Sequence, residues 1–175
     1  MTEALLRQVG QRLSESSSIL VVSHIRPDGD AIGSLLGLGL ALQENGKHVQ
    51  MVLEDGIPSA FKHLEGSRQV QRSVKDEFDL VCVVDCSDLQ RTGKVIPPDR
   101  APDINLDHHA TNLNFARVNV VFPHAVATTE IVADLLEVMD WNFSESVSSA
   151  LLTGLITDTI GFRTSNITPK SMRLA

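Results

Sequence analysis

Short apolar segments that alternate with helix-like segments restrict the fold of this chain more than any other feature. Five segments have the length and composition of buried strands, namely residues 18–23, 48–55, 79–85, 101–107 and 117–122. Helical patterns occupy residues 31–47, 128–140 and 144–159, and an amphipathic helix precedes the first strand. Strands that alternate with helices form mainly parallel sheets covered by helices. We therefore predict an α/β domain with a mainly parallel sheet of about five strands and helices on both faces.

Composition and charge exclude several classes of protein. The net charge of -7 disfavours stable binding to duplex nucleic acid, which relies on a basic surface. One tryptophan and no tyrosine argue against an aromatic platform that stacks many bases. No apolar run approaches the roughly 20 residues that span a bilayer, and the N-terminal residues lack signal-peptide features. We expect a cytoplasmic protein that does not enter membranes.

The two cysteines, Cys82 and Cys86, lie in one strand-like segment. Alternation along a strand places residues four apart on the same face of the sheet. We therefore predict two buried thiols on one face, without a disulfide, as is usual in a reducing compartment.

Acidic and imidazole side chains follow three of the predicted strands. In open parallel sheets, ligands bind beyond the carboxyl ends of the strands, where these side chains would converge. A further carboxylate, Asp158, lies in an apolar helical segment, where burial is costly unless the charge is paired or bound to metal. The residues after the three strands are His24, Asp28 and Asp30, then Asp85, then Asp107, His108 and His109.

Each cluster also has an ordinary structural explanation. Asp30 could cap the helix that follows a turn, and Asp85 could cap the segment after its strand. The adjacent histidines could lie on the surface, and Asp158 could form a local hydrogen bond at a helix end. The joint placement of four such groups favours a metal site.

The mixture of ligands indicates which metals and which chemistry to expect. Carboxylates suit Mg²⁺ and Mn²⁺, and imidazole shifts the preference towards Mn²⁺ and other transition metals. Two ions about 4 Å apart can share a bridging carboxylate, activate a water and stabilise a phosphoryl group under attack. Such a site needs no serine or cysteine nucleophile.

Four motifs resemble those of the DHH phosphoesterases, in the same order and spacing. They are residues 24–34, Val84 with Asp85, residues 107–109, and residues 154–163, and the resemblance covers nearly the whole chain from Ser23. Within that superfamily the chain is most similar to the bacterial oligoribonuclease (nanoRNase) and 3′-phosphoadenosine 5′-phosphate phosphatase branch.

The resemblance implies roles for individual residues. It implies that His109 faces the scissile phosphate, that Asp107 orients a histidine, and that Arg163 contacts a phosphate or lies on the surface. It implies two Mn²⁺ ions bridged by Asp85, with Mg²⁺ or Co²⁺ as substitutes. The ligands of one ion would be His24, Asp28 and Asp85, and those of the other Asp30, Asp85, His108 and Asp158.

The resemblance further implies hydrolysis of short oligonucleotides to mononucleotides, and of 3′-phosphoadenosine 5′-phosphate to AMP. Two alternatives remain open at this point: a manganese-dependent inorganic pyrophosphatase, and a binding module without catalysis. A homodimer also remains open.

Two regions are expected along the chain, with residues 1–167 forming the catalytic domain. Thr168 and Pro169 have the pattern of a helix cap and first helical position, so residues 168–175 would begin a helix. Members of the family carry a second, substrate-binding domain of the DHHA1 type, and we expect that helix to lead towards it.

Overall fold

The computed structural model describes residues 3–175, which form five strands and five α-helices. The strands are Ser18–Val22 (β1), His48–Val52 (β2), Leu80–Val84 (β3), Ile104–Asp107 (β4) and Val118–Val121 (β5). The helices are Glu3–Glu15 (α1), Gly29–Glu44 (α2), Thr128–Val138 (α3), Glu145–Asp158 (α4) and Pro169–Leu174 (α5). Short 3-10 turns span Ser59–Phe61, Ser67–Gln69 and Leu89–Thr92.

All strand pairs are parallel, and the sheet order is β2-β1-β3-β4-β5. The chain moves outwards from β1 to β2, then returns to β3 and continues in the opposite direction through β4 to β5. The order therefore reverses between β1 and β3, and such a switch point opens a crevice at the carboxyl ends of the two strands. The predicted α/β class and parallel sheet are confirmed.

The placement of the helices differs from the prediction of helices on both faces. The main core joins alternate strand residues, such as Ile19, Cys82 and Leu106, to apolar residues of α1, α2, α3 and α4. The opposite face carries Leu20, Val83 and their neighbours, and a second cluster covers it with loop residues that include Val95 and Ile96. Within residues 3–175 no α-helix joins that second cluster, because the segments between β2 and β3 and between β3 and β4 contain only 3-10 turns.

The predicted common face for the two cysteines is wrong. Cys82 packs in the main core beside the helices, whereas Cys86 packs in the cluster on the opposite face. Regular alternation ends at Asp85, whose φ of 51° lies in the left-handed region and turns the chain out of the strand. Both thiols are buried and free, as expected.

Helices α2 and α4 approach each other closely because glycines line their contact. A Cβ atom at Gly33 would lie 2.6 Å from the carbonyl oxygen of Ala150 and 2.9 Å from the backbone nitrogen of Gly154. This close packing matters for the site, since α2 carries Asp30 and α4 ends at Asp158.

The predicted helix start near the carboxyl end of the chain is confirmed. α5 begins at Pro169, and the side chains and backbones of Thr168 and Ser171 form a reciprocal capping box. No helix among residues 3–175 combines the length and apolar character required to span a membrane.

Gly33→Ala is expected to lower the free energy of unfolding by about 1–3 kcal/mol, because the added methyl group meets backbone atoms that cannot move aside. The measurement is urea unfolding of the variant and the wild type. Gly39→Ala is the matched control, since its methyl group meets the flexible side chain of Met51. Equal losses in the two variants would contradict backbone packing as the cause.

Candidate metal centre

The six predicted metal ligands converge at the carboxyl edge of the sheet. His24 follows β1, Asp85 follows β3 and His108 follows β4, so three neighbouring strands each deliver one side chain. Asp28 and Asp30 enter from the start of α2, and Asp158 enters from the last residue of α4. Residues far apart along the chain thus form one cluster.

The turn between β1 and α2 uses its two carboxylates differently from the simple capping prediction. Asp28, not Asp30, is the helix N-cap, and its Oδ1 accepts hydrogen bonds from the backbone N–H groups of Asp30 and Ala31. Asp30 is buried in the first turn and accepts hydrogen bonds from the N–H groups of Thr128 (2.6 Å) and Thr129 (3.0 Å). The amino end of α3 therefore holds the Asp30 carboxylate, a favourable position for a negative charge.

Asp85 lies at the middle of the cluster and is 1% exposed. Its Oδ2 is 3.5 Å from His24 Nε2, and its Oδ1 is 3.9 Å from His108 Nε2. The hydroxyl of Thr128 donates a hydrogen bond of 2.9 Å to the same Oδ1. The two oxygens of Asp85 thus face opposite halves of the site.

The two adjacent histidines face different partners. His108 Nε2 lies 3.8 Å from Asp158 Oδ2 and 3.9 Å from Asp30 Oδ2. His109 instead places Nδ1 2.7 Å from Oδ1 of the buried Asp107. Asp107 thus contacts a histidine, and its role in orienting that ring stays a prediction.

The ligand atoms are grouped as a cation site requires. Three sets of donor atoms each lie within 4.8 Å of one another, and Asp85 belongs to two of them. Separations of 3.5–3.9 Å across the His24, Asp85 and His108 contacts leave room for a cation between side chains. The three sets are His24 with Asp28 and Asp85, Asp30 with His108 and Asp158, and Asp85 with His108 and His109.

The electrostatics of the carboxylates also fit a cation. Burial and then the charge of Asp85 raise the pKa of Asp30 well above its ordinary value, against the lowering effect of the Thr128 and Thr129 hydrogen bonds. Burial likewise raises the pKa of Asp158. The charge of His108 acts to lower this pKa, and the charge of Asp85 acts to raise it. A divalent cation would stabilise the ionised form of these crowded carboxylates.

The imidazoles partly offset this negative charge. Burial acts to raise the pKa of Asp85, but the hydrogen bond with His24 and the nearby histidine charges lower it overall. Burial is the largest single effect on the pKa of His24 and acts to lower it, but the contacts with Asp85, the carbonyl oxygen of Ile25 and Asp28 together outweigh burial and raise the pKa. For His109, the hydrogen bond to Asp107 is the largest effect and raises the pKa.

The segment 125–129 has a role at the site that the sequence analysis missed. The carbonyl oxygen of Ala125 lies 3.4 Å from His108 Nδ1, and the segment also supplies the Thr128 and Thr129 contacts described above. The two threonines at a helix start were visible in the sequence, but nothing there indicated that their N–H groups face Asp30. Asn112, which contacts Asp107, was missed for the same reason.

Arg163 lies outside the cluster. Its side chain is exposed, and Nε donates a hydrogen bond of 2.8 Å to the carbonyl oxygen of Ile160 in the same turn. Contact between Arg163 and a substrate phosphate therefore stays a prediction.

The chain is similar in sequence to parts of longer known proteins. The chain is 34% identical over 157 residues to the bifunctional oligoribonuclease and PAP phosphatase NrnA of Thermus thermophilus. The aligned region covers 90% of this chain and 48% of that protein. It is 27% identical over 175 aligned positions to the cyclic-di-AMP phosphodiesterase GdpP of Geobacillus thermodenitrificans, covering 86% of this chain and 26% of that protein. The chain thus spans about half the length of the first relative and about a quarter of the second.

Solved structures share the fold. An exopolyphosphatase-related protein from Bacteroides fragilis superimposes with a TM-score of 0.90 at 26% identity, covering 99% of this chain and 55% of that chain. A candidate family II inorganic pyrophosphatase from Methanococcus jannaschii superimposes with a TM-score of 0.66 at 20% identity, covering 90% of this chain and 54% of that chain, and this likeness shows the fold alone.

A protein-family model matches most of the chain. The model described as "DHH family, N-terminal domain" matches residues 18–157, a range that runs from β1 almost to the end of α4. The matched range includes His24, Asp85 and the Asp107-His108-His109 segment. This chain belongs to the DHH family of phosphoesterases.

Proposed function

We propose that this chain is the metal-binding domain of an enzyme that hydrolyses short oligonucleotides, including dinucleotides, to mononucleotides. The same site would also convert 3′-phosphoadenosine 5′-phosphate to AMP. The observation that carries the proposal is the position of Asp85, whose two carboxylate oxygens face two separate sets of donor atoms. A carboxylate shared in this way is suited to bridge two divalent cations.

The relatives support this choice of substrate. The names of the Thermus thermophilus and Geobacillus thermodenitrificans proteins both describe hydrolysis of a phosphate ester of a nucleotide. Because those proteins are two to four times as long as the matched part, we propose that substrate selection also involves regions outside the domain described here. We propose the cytoplasm as the location, where such substrates arise.

We propose Mn²⁺ as the native metal, with Mg²⁺ or Co²⁺ as substitutes, because the donors combine carboxylate oxygens with imidazole nitrogens. Two such ions, when bound, would lower the pKa of a water and neutralise charge on the phosphoryl oxygens. The proposed ligands are His24, Asp28 and Asp85 for one ion, and Asp30, Asp85, His108 and Asp158 for the other.

His109 has a different proposed role because of how its ring is held. Its Nδ1 faces Asp107 at 2.7 Å, so Nε2 is the nitrogen that remains for a substrate. The contact with Asp107 also favours the protonated ring, which can donate a hydrogen bond to a phosphate oxygen or a proton to the leaving group.

Two alternative functions are distinguished from the proposed one by the first test below. The similarity to the Methanococcus jannaschii structure makes inorganic pyrophosphate the rival substrate, although that likeness extends only to the fold. A binding module that keeps the metals without turnover is the other alternative.

The first test is hydrolysis of 5′-phosphorylated diadenylate, 3′-phosphoadenosine 5′-phosphate and pyrophosphate, each with Mn²⁺ and with chelator. We expect AMP from the two nucleotide substrates with Mn²⁺ only, because chelation removes the proposed ions. Cleavage of pyrophosphate alone would assign the chain to the pyrophosphatases. If this chain and a longer chain that contains it both bind Mn²⁺ but hydrolyse none of the substrates, the result would favour the binding module.

Asp85→Ala and His109→Ala are expected to separate metal binding from catalysis. Loss of Asp85 removes the shared ligand and should abolish binding of both ions. Loss of His109 should leave two ions bound and lower kcat roughly 10²–10⁴-fold, the usual range for a general acid or base. Titration calorimetry with Mn²⁺ and kinetics on the diadenylate measure the two effects. Equal loss of Mn²⁺ in both variants would contradict these roles.

Thr128→Val is expected to weaken Mn²⁺ binding roughly 10- to 100-fold, because the hydroxyl that orients Asp85 is removed at nearly constant volume. Thr129→Val is the matched control. The Thr129 hydroxyl is buried without a hydrogen-bond partner among the described residues, so its loss removes no bond to a ligand. Mn²⁺ titrations of both variants, with thermal unfolding to monitor stability, provide the comparison. Similar affinities in the two variants would show that the hydroxyl of Thr128 does not orient Asp85.

A further inference from the structure

We infer that Asn112 is a positioning residue, whose side-chain amide fixes the Asp107 carboxylate so that His109 carries its proton on Nδ1 and presents Nε2 outwards. The part of the inference that concerns a substrate phosphate rests on the proposed function. The part that concerns the histidine tautomer stands without it.

The hydrogen bonds of Asp107 are divided between two partners. Asn112 Nδ2 donates to Oδ2 at 2.6 Å, and Oδ1 lies 2.7 Å from His109 Nδ1. Asp107 is fully buried, so each oxygen depends on a protein partner instead of solvent. With Oδ2 occupied by the amide, Oδ1 is the oxygen directed at the imidazole.

Asn112 is itself held in place by its surroundings. Its backbone N–H donates to the carbonyl oxygen of His109 at 3.1 Å, and its Oδ1 accepts from the N–H of Asn114 at 2.7 Å. Its Nδ2 also lies 2.7 Å from Oδ1 of the fully buried Asn105. The carbonyl oxygen of Cys86 lies farther from Nδ2, at 3.2 Å. An amide has two N–H groups, and the two nearest of these three acceptors are on Asp107 and Asn105.

The same network reaches the segment that follows Asp85. The N–H of Leu113 donates to the carbonyl oxygen of Ser87 at 2.9 Å, and Asn105 Nδ2 lies 3.2 Å from the carbonyl oxygen of Cys86. The loop that carries His109 is thereby fastened to the chain beside the proposed bridging ligand.

A comparison of the two histidines shows why the orientation matters. His108 directs Nε2 at the carboxylates of Asp30, Asp85 and Asp158, as a metal ligand would. The carboxylate contacts of His109 among residues 3–175 are made by Nδ1 instead. A neutral imidazole beside a carboxylate acceptor keeps its proton on the nitrogen that faces the carboxylate. His109 Nε2 is therefore left to accept or donate at the substrate side.

The side chain at position 112 must be a donor for this arrangement to hold. Alanine would leave a buried oxygen of Asp107 without its partner and allow the carboxylate to rotate. Aspartate has the size of asparagine but would place a second negative charge against Asp107. Asn119→Ala is a matched control, since the side-chain hydrogen bonds of Asn119 among residues 3–175 go to the backbone of Ala116 and not to Asp107.

The experiment combines a tautomer measurement with a double-mutant cycle. Nitrogen-15 NMR of the histidine rings, at a pH where His109 is neutral, should show the Nδ1–H tautomer in the wild type and in Asn119→Ala. His109→Ala identifies the signal. Asn112→Ala and Asn112→Asp should shift the ring towards a mixture of tautomers. Urea unfolding of both variants identifies those that are as stable as the wild type, and their tautomers are compared with that of the wild type.

With the diadenylate substrate, Asn112→Ala should lower kcat at least roughly tenfold and leave KM and Mn²⁺ binding unchanged. Added to His109→Ala, it should cause no further loss, because it acts through His109. A wild-type tautomer in folded Asn112 variants would overturn the inference, as would additive losses or loss of Mn²⁺. If the wild type cleaves none of the substrates, the proposed function fails, and the tautomer result alone decides the role of Asn112.

Discussion

The concentration of buried carboxylates at one edge of the sheet is the constraint on which the rest of the structure depends. Asp30, Asp85 and Asp107 are all less than 3% exposed, and ionised carboxylates are costly to bury without compensation. The structure compensates each one differently. Asp30 receives two backbone N–H groups, Asp85 receives a hydroxyl and histidines, and Asp107 receives an imidazole and an amide.

These compensations differ in how completely they balance the charge. The partners of Asp107 are ordinary hydrogen-bonding groups of the protein, and its arrangement can persist without a ligand. Burial is the main cause that raises the pKa values of Asp30 and Asp158, and the charge of Asp85 raises them further. The site therefore separates into a part that the protein satisfies by itself and a part suited to bound cations.

The close packing of α2 against α4 brings this second part together. Gly33 and Gly154 allow the helix backbones to approach, and a Cβ atom at Gly154 would lie 3.0 Å from Oδ1 of Asp30. Gly154 thus leaves space for the methyl group of Thr129 and for the Asp30 carboxylate. A structural requirement of the core and a requirement of the site are met by the same small residues.

The sequence by itself determined the class of the fold, the ends of the strands and the set of candidate ligands. Hydrophobic alternation and the types of residue at strand ends are local properties, so the sheet, the start of α5, and the clustering of His24, Asp85 and His108 could be predicted. Local patterns could not predict that the α-helices cover one face, because nothing in a two-sided apolar strand indicates whether a helix or a loop packs on it. The left-handed residue Asp85 likewise ended the alternation that placed the two cysteines on one face. Only the tertiary structure decided that Thr128 and Asn112 hold the carboxylates, because these hydrogen bonds join segments whose separation depends on how the whole sheet and its helices pack.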